Sequence, residues 1–170
     1  MLSPSVRDAI YDQINLEFTS FYSYLGMSAY CEHQNFLGCA RWLRVQAAEE
    51  NGHAMRLYHF LLARNCPIRL REIAAPRCEY ESIPEVFNAA LKQEMFVSES
   101  IDKLYALALK EGANAALVEL QWFVTEQVEE EKTARTIAAK FNMIKDDPAA
   151  MLDLDETLGT RKPDEESRGE

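Results

Sequence analysis

Several features are missing from this chain, and each absence removes a class of protein. No run of apolar residues approaches the roughly 18 needed to cross a bilayer. Cys31, Cys39, Cys66 and Cys78 show no CxxC pairing, so neither a zinc ribbon nor a small iron–sulfur or rubredoxin-type module is encoded. They read as reduced structural cysteines. Glycine and proline are scarce, six of each in 170 residues, and the prolines fall at element boundaries. Basic residues are outnumbered, 18 against 28 acidic ones, giving a net charge of −10. Nucleic acid is therefore not an expected partner, because phosphate binding needs clustered Lys and Arg. The opening Met1-Leu2-Ser3-Pro4 has neither the basic nor the apolar region of a signal peptide, and a cytoplasmic protein is expected.

What is present is long helical periodicity in a chain that is 48% hydrophobic and 27% charged. Four stripes at steps of three and four each occupy one helical face. The first runs Ile10, Ile14, Glu17, Phe21, Tyr24, Ser28, and the second Ala40, Leu43, Ala47, Glu50, His53, Leu57, Leu61. The third runs Phe87, Leu91, Glu94, Ser98, Ile101, Tyr105, Ala108, and the fourth Leu120, Phe123, Gln127, Glu130, Ala134, Ile137, Phe141. Each carries a carboxylate in the middle of an apolar face, where burial is costly unless something neutralises it. No Lys or Arg lies on the stripes to do so. A bound cation is the simplest common partner.

The four positions also match in depth. With turns near Asn35 and Gly112, Glu17 lies eighteen residues before the first turn, and Glu50 and His53 fifteen and eighteen after it. Glu94 and Glu130 lie eighteen either side of the second. At about 1.5 Å per residue, all sit roughly 23–27 Å from their turns. Two packed antiparallel hairpins would bring them into one buried cluster, a metal site on geometric grounds.

Boundary residues predict an all-α protein of four long helices and a short fifth. Ser3 is a candidate N-cap with Pro4 at the first helical position. Ser82 and Glu85 form a possible capping box, and Asp147-Pro148 opens the last segment, Ala149 to Leu158. Between Arg64 and Ser82 no helical period is visible. A crossover of about eighteen extended residues reaches about 60 Å, enough to return along a helix of roughly 45 Å. The third helix would then start at the opposite end, giving an up-down-down-up bundle. The expected division is 1–146 for the bundle, 147–159 for the short helix and 160–170 for a polar, mobile tail.

These residues resemble those of bacterial non-haem ferritins over positions 1 to 158. The resemblance is carried by Asn15-Leu16-Glu17, Glu49-Glu50-x-x-His53, Glu94 and Gln121-Trp122-Phe123-Val124-x-Glu126-Gln127-x-Glu129-Glu130-Glu131. It implies a ferroxidase and iron-storage subunit of a closed cage of 24 copies, which oxidises Fe2+ with O2 or H2O2 and stores ferric oxide. Glu17 and His53 would ligate the first iron, Glu50 would bridge, and Glu94 and Glu130 would ligate the second, with Gln127 close by. Two irons about 3–4 Å apart can each give one electron, taking oxygen to the peroxide level. Tyr24 would supply a further electron or simply pack in the core, and Trp122 would be mainly structural. A third iron site is implied at Glu49, Glu126 and Glu129; the alternative is a solvated acidic face running on into Glu131 and Lys132.

Departures separate this chain from neighbouring families. The fourth helix reads Gln127-x-x-Glu130 instead of a second Glu-x-x-His, and Asn51 stands where bacterioferritins carry a haem-ligating Met, so no haem is expected. The rival readings are a non-catalytic cage subunit that nucleates mineral, a di-iron oxidase or peroxidase without storage, and a four-helix interaction module.

Overall fold

The computed structural model describes residues 2–163. The elements are α1 (Pro4–His33), α2 (Leu37–Ala63), α3 (Ile83–Lys110), α4 (Asn114–Ile144) and α5 (Pro148–Leu158). No strand occurs among the described residues, as an all-α chain requires. Residues 164–170, most of the expected tail, lie outside the described part.

The helix starts follow from their side chains. Ser3 accepts from Val6 N ahead of Pro4, and Asp147 accepts from Ala149 N and Ala150 N ahead of Pro148. Ser82 caps α3 through Glu85 N, but the return bond of the capping box is displaced by one residue. Glu85 accepts from Glu81 N at 2.6 Å, while its other oxygen pairs with Arg77 at 2.7 Å. Short turns at Asn35 (φ 63°) and Gly112 (φ 64°) fold α1 onto α2 and α3 onto α4.

The crossover 64–82 lies against α1 over most of its length. The Tyr11 hydroxyl donates to Pro67 O, Asp12 pairs with Arg71, and the Tyr30 and Tyr80 rings meet edge-on at 5.4 Å. Where it crosses the helix, a Cβ on Gly26 would sit 2.7 Å from Arg77 O, so only glycine fits. The chain thus travels from the start of α1 to its end before α3 begins. The bundle is up-down-down-up.

That topology produces two apolar cores with a polar layer between them. One core gathers the N-terminal parts of α1 and α4 and the C-terminal parts of α2 and α3, including Ile10, Ile14, Leu57, Ile101, Leu120 and Phe123. The other joins the opposite ends, including Tyr24, Leu43, Trp42, Phe87 and Phe141, with Leu158 of α5 added. Each such side chain contributes about 1.5–3 kcal/mol on full burial, and these two cores provide the stability the layer between them lacks. On α3 the buried face is wider than the predicted stripe. Ala90, Val97 and Leu104 are buried, whereas Leu91, Ser98 and Tyr105 are half-buried. An apolar face spans more than about 100° of a helix, so a single line of residues understates it.

Candidate metal centre

The layer between the cores contains Glu17, Glu50, His53, Glu94, Gln127 and Glu130, all buried, together with buried Gln13 and Gln46. Each helix contributes at the depth the turn arithmetic predicts, and donor atoms of Glu17, Glu50 and His53 lie within 4.8 Å of one another. His53 Nδ1 is 3.7 Å from Glu50 Oε2, one turn away on α2. On the other side, Glu94 Oε1 accepts from the Tyr24 hydroxyl and Oε2 from Gln127 Nε2 at 3.3 Å. Tyr24 is therefore placed at the layer and not merely in the apolar core beside it.

Two glutamines not anticipated as part of the centre hold its carboxylates. Gln13 Nε2 donates to Glu17 Oε1 at 2.8 Å and takes a bond from Ser100 through its own oxygen at 2.6 Å. Gln46 Nε2 donates to Glu130 Oε2 at 2.8 Å and Glu50 Oε1 at 3.2 Å. Both lie four residues before the carboxylate of their own helix, so a search for Gln one turn upstream of a core Glu would have found them.

The electrostatics are those of excess buried negative charge. Burial first, and then the charge of Glu50, raises the affinity of Glu17 for a proton well above the ordinary carboxylate range. Glu50 is raised by burial and then by Glu94 and Glu130. Glu130 is pushed up to about 8, by burial and then by Glu94 and Glu49. Glu94 is raised by burial against the lowering effect of the Tyr24 and Gln127 bonds. The Tyr24 phenol is raised in turn by burial and by Glu94. Glu17 Oε2 is buried and accepts no hydrogen bond from an amide, hydroxyl or basic group. A buried acceptor left open beside two further donors fits a metal cation, and carboxylate and imidazole donors suit iron.

The walls of the centre are aromatic and polar. Trp122 packs edge-on to His53 at 5.3 Å, and the Arg56 guanidinium covers the Trp122 ring at 4.1 Å while bonding Glu119. Trp122 thus packs between a candidate ligand and a cation. A cleft of about 250 Å³ between α3 and α4 is lined by Ser98, Asp102, Gln127 and Glu131 and reaches the layer at Gln127.

The three residues expected at a third metal position separate. Glu126 lies with His53 and Glu130, their donor atoms within 4.8 Å. Glu49 is buried, with Oε2 2.5 Å from Arg161 Nη2, and Glu129 is exposed and joins neither grouping. The cysteines also divide. Among the described residues all four are free thiols; Cys31 and Cys39 are buried, Cys66 is half-buried and Cys78 is exposed. Burial pushes the Cys31 thiol up to about 12 and Cys39 further still, as expected of structural cysteines.

Known proteins share this arrangement of helices. A family model described as a ferritin-like domain matches residues 7–144. The bacterial non-heme ferritin of Staphylococcus aureus is 34% identical over 166 residues, covering 98% of this chain and all of that protein. A probable bacterial non-heme ferritin-like protein of Haemophilus influenzae is 38% identical over 159 residues, covering 94% and 96%. Among solved structures, the open pore ferritin of Archaeoglobus fulgidus superimposes with a TM-score of 0.94 at 35% identity, covering 95% of this chain and 99% of that one. An engineered closed form of the same ferritin gives 0.93 at 36%, with the same coverage.

Proposed function

The chain belongs to the ferritin family, and on that premise we propose that it is an iron-storage subunit that oxidises Fe2+ at the layer between its two cores. One observation carries the reading: carboxylates from all four long helices and one imidazole meet inside a single bundle, with too much negative charge to stay ionised without cations. In this reading Glu17 and His53 hold one Fe2+, Glu94 and Glu130 the other, and Glu50 bridges them.

The chain's own contribution is positioning and charge. Gln13 and Gln46 hold Glu17, Glu50 and Glu130 in orientation through their amide hydrogens. Arriving Fe2+ displaces protons from the raised carboxylates, so capture is coupled to proton release. Paired ferrous ions supply the two electrons that convert O2 to H2O2, or one H2O2 to two waters, and the cores above and below keep bulk water out. In this reading Tyr24, whose hydroxyl bonds Glu94, is the aromatic that gives an additional electron. The ferric product leaves for a cavity enclosed by a closed assembly of 24 copies, where it is stored as hydrated oxide. The same reading places the protein in the cytoplasm; no described helix is long and apolar enough to cross a membrane.

Aerobic addition of Fe2+ to the metal-free protein, followed by gel filtration, tests this. Rapid oxidation of two irons per subunit and retention of many more with the protein is the expected result. Uptake that stops at two per subunit overturns storage and leaves a di-iron oxidase. Retention without a fast phase leaves a nucleating subunit.

A further inference from the structure

A cation from outside the four long helices reaches the edge of the centre. Arg161 lies just beyond α5, and its guanidinium sits 4.5 Å over the Trp42 ring. Nη2 is 2.5 Å from Glu49 Oε2, and Nη1 donates to Gln46 Oε1 at 2.8 Å. The carbonyl end of the Gln46 amide is thereby taken, which turns its NH2 group toward Glu130 and Glu50. One side chain thus neutralises charge at Glu49 and fixes the donor that orients two of the central carboxylates.

The position of Arg161 is built into the fold. Phe36, at the N-cap of α2, makes no side-chain cap bond. Asp155 of α5 supplies one instead, accepting from Gly38 N at 3.1 Å and Cys39 N at 2.7 Å. The approach is close enough that a Cβ on Gly38 would lie 1.8 Å from Asp155 O. Capping α2 therefore anchors α5 and sets where the residues after it emerge. Gln46, which Arg161 holds, also bonds Glu130. Glu126 adds one donor to His53 and Glu130, and Glu49 is near enough to Glu130 for its charge to be felt there.

We propose that Arg161 is a tethered counter-cation on the Glu49 side of the centre, which a metal ion binding there beyond the first two must displace. The inference rests on the di-iron reading. It makes this position one that fills late and empties readily, because the guanidinium is always charged and returns when the ion leaves. The competition is intramolecular, so its strength is set by the docking of α5.

Zn2+, which has no redox chemistry, is the probe. It is titrated calorimetrically into the metal-free assembled protein and into Arg161→Ala, Arg161→Gln and Arg161→Lys, with helix content compared by circular dichroism. Trp42 emission is followed in a Trp122→Phe background. The wild type is expected to bind two ions tightly and a further one weakly, with Trp42 emission changing only at the further ion as the guanidinium leaves its ring. In the Ala and Gln variants that ion should bind about tenfold tighter, the effect of removing one competing charge, and the Trp42 step should vanish. Lys, a charge without the fork, should fall between. Unchanged affinity in the Ala and Gln variants, or a Trp42 emission indifferent to the further ion in the wild type, overturns the proposal. A wild type that fails to bind even the first two ions overturns the di-iron reading itself, and this inference with it.

Discussion

The two hairpins bring unequal halves to the centre. The α1–α2 half is gathered: Glu17, Glu50 and His53 already point donor atoms at one place, and Glu17 Oε2 is open. The α3–α4 half is tethered: Glu94 is held at both oxygens by Tyr24 and Gln127, and Glu130 by Gln46. Glu17 and Glu50 each take one amide bond, from Gln13 and Gln46, through Oε1. A metal entering the first half can therefore use their Oε2 atoms and His53, whereas one entering the second must share or displace the bonds to Glu94. A net protein hydrogen bond to a charged group is worth about 1.5–3 kcal/mol. The first Fe2+ should therefore bind on the α1–α2 side, and the second more weakly.

The largest expected effect comes from the residue both halves share. Glu50→Ala removes the bridge, and initial Fe2+ oxidation should fall on the order of 100-fold, since even outer partners of metal ligands cost about 10–100-fold. The metal-free variant should be more stable than wild type, because a carboxyl that is costly to bury, and that Glu94 and Glu130 further disfavour, is gone. Stopped-flow absorbance and thermal melting measure the two effects. A wild-type oxidation rate would remove Glu50 from the centre.

Next in size is the contrast between the halves. His53→Ala should abolish the tighter of the two Zn2+ sites and leave the weaker, whereas Glu94→Ala should do the reverse. Calorimetry on the two variants decides it. If each loses the same site, or the two sites prove equal, the inequality drawn from the hydrogen bonds is wrong.

The raised carboxylates set the third expectation. Glu130, at about 8 when folded, binds its proton more tightly than in the unfolded chain. Across the window from the ordinary carboxylate value up to about 8, the folded state then holds more protons than the unfolded one. Stability of the metal-free protein must fall as pH rises through that window, by about 1.4 kcal/mol per pH unit for each excess proton. Denaturant midpoints at about pH 6 and pH 8 should differ in that direction, and Zn2+ should flatten the slope. A metal-free protein that gains stability over this range would mean the layer is compensated by cations already in the fold.

Much of this was legible in the sequence because it depends on local rules. Ser3-Pro4, Ser82 and Asp147-Pro148 act through neighbours a few residues away, and the depth match needs only the helical rise and two turn positions. What could not be read depends on distant pairs. Arg161 touches residues 112 and 115 positions earlier, and Asp155 caps a helix 117 and 116 positions earlier. A lone Arg after a short helix has the composition of a solvated tail. The stripes do lack Lys and Arg, yet a cation that is not a metal pairs with Glu49 beside them and bonds Gln46, the donor to two of their carboxylates.

The smallest expected effect concerns the residues that join the halves. Glu126 groups with His53 from one hairpin and Glu130 from the other, while Glu129 faces outward on the next turn of α4. Single changes should therefore separate what the sequence presents as one acidic cluster. Glu129→Ala should leave both oxidation and iron uptake at wild-type values, because it removes only a solvated charge. Glu126→Ala should also leave the first oxidation of two irons nearly intact, since Glu17, Glu50, His53, Glu94 and Glu130 remain. Its effect should fall on the later phase: the iron consumed per O2, and the delay before a second addition is oxidised at full rate. Oxygen-electrode stoichiometry and paired iron additions measure both. Equal behaviour of the two variants would return Glu126 to the acidic face, and the centre would then end at the two half-sites the hairpins supply.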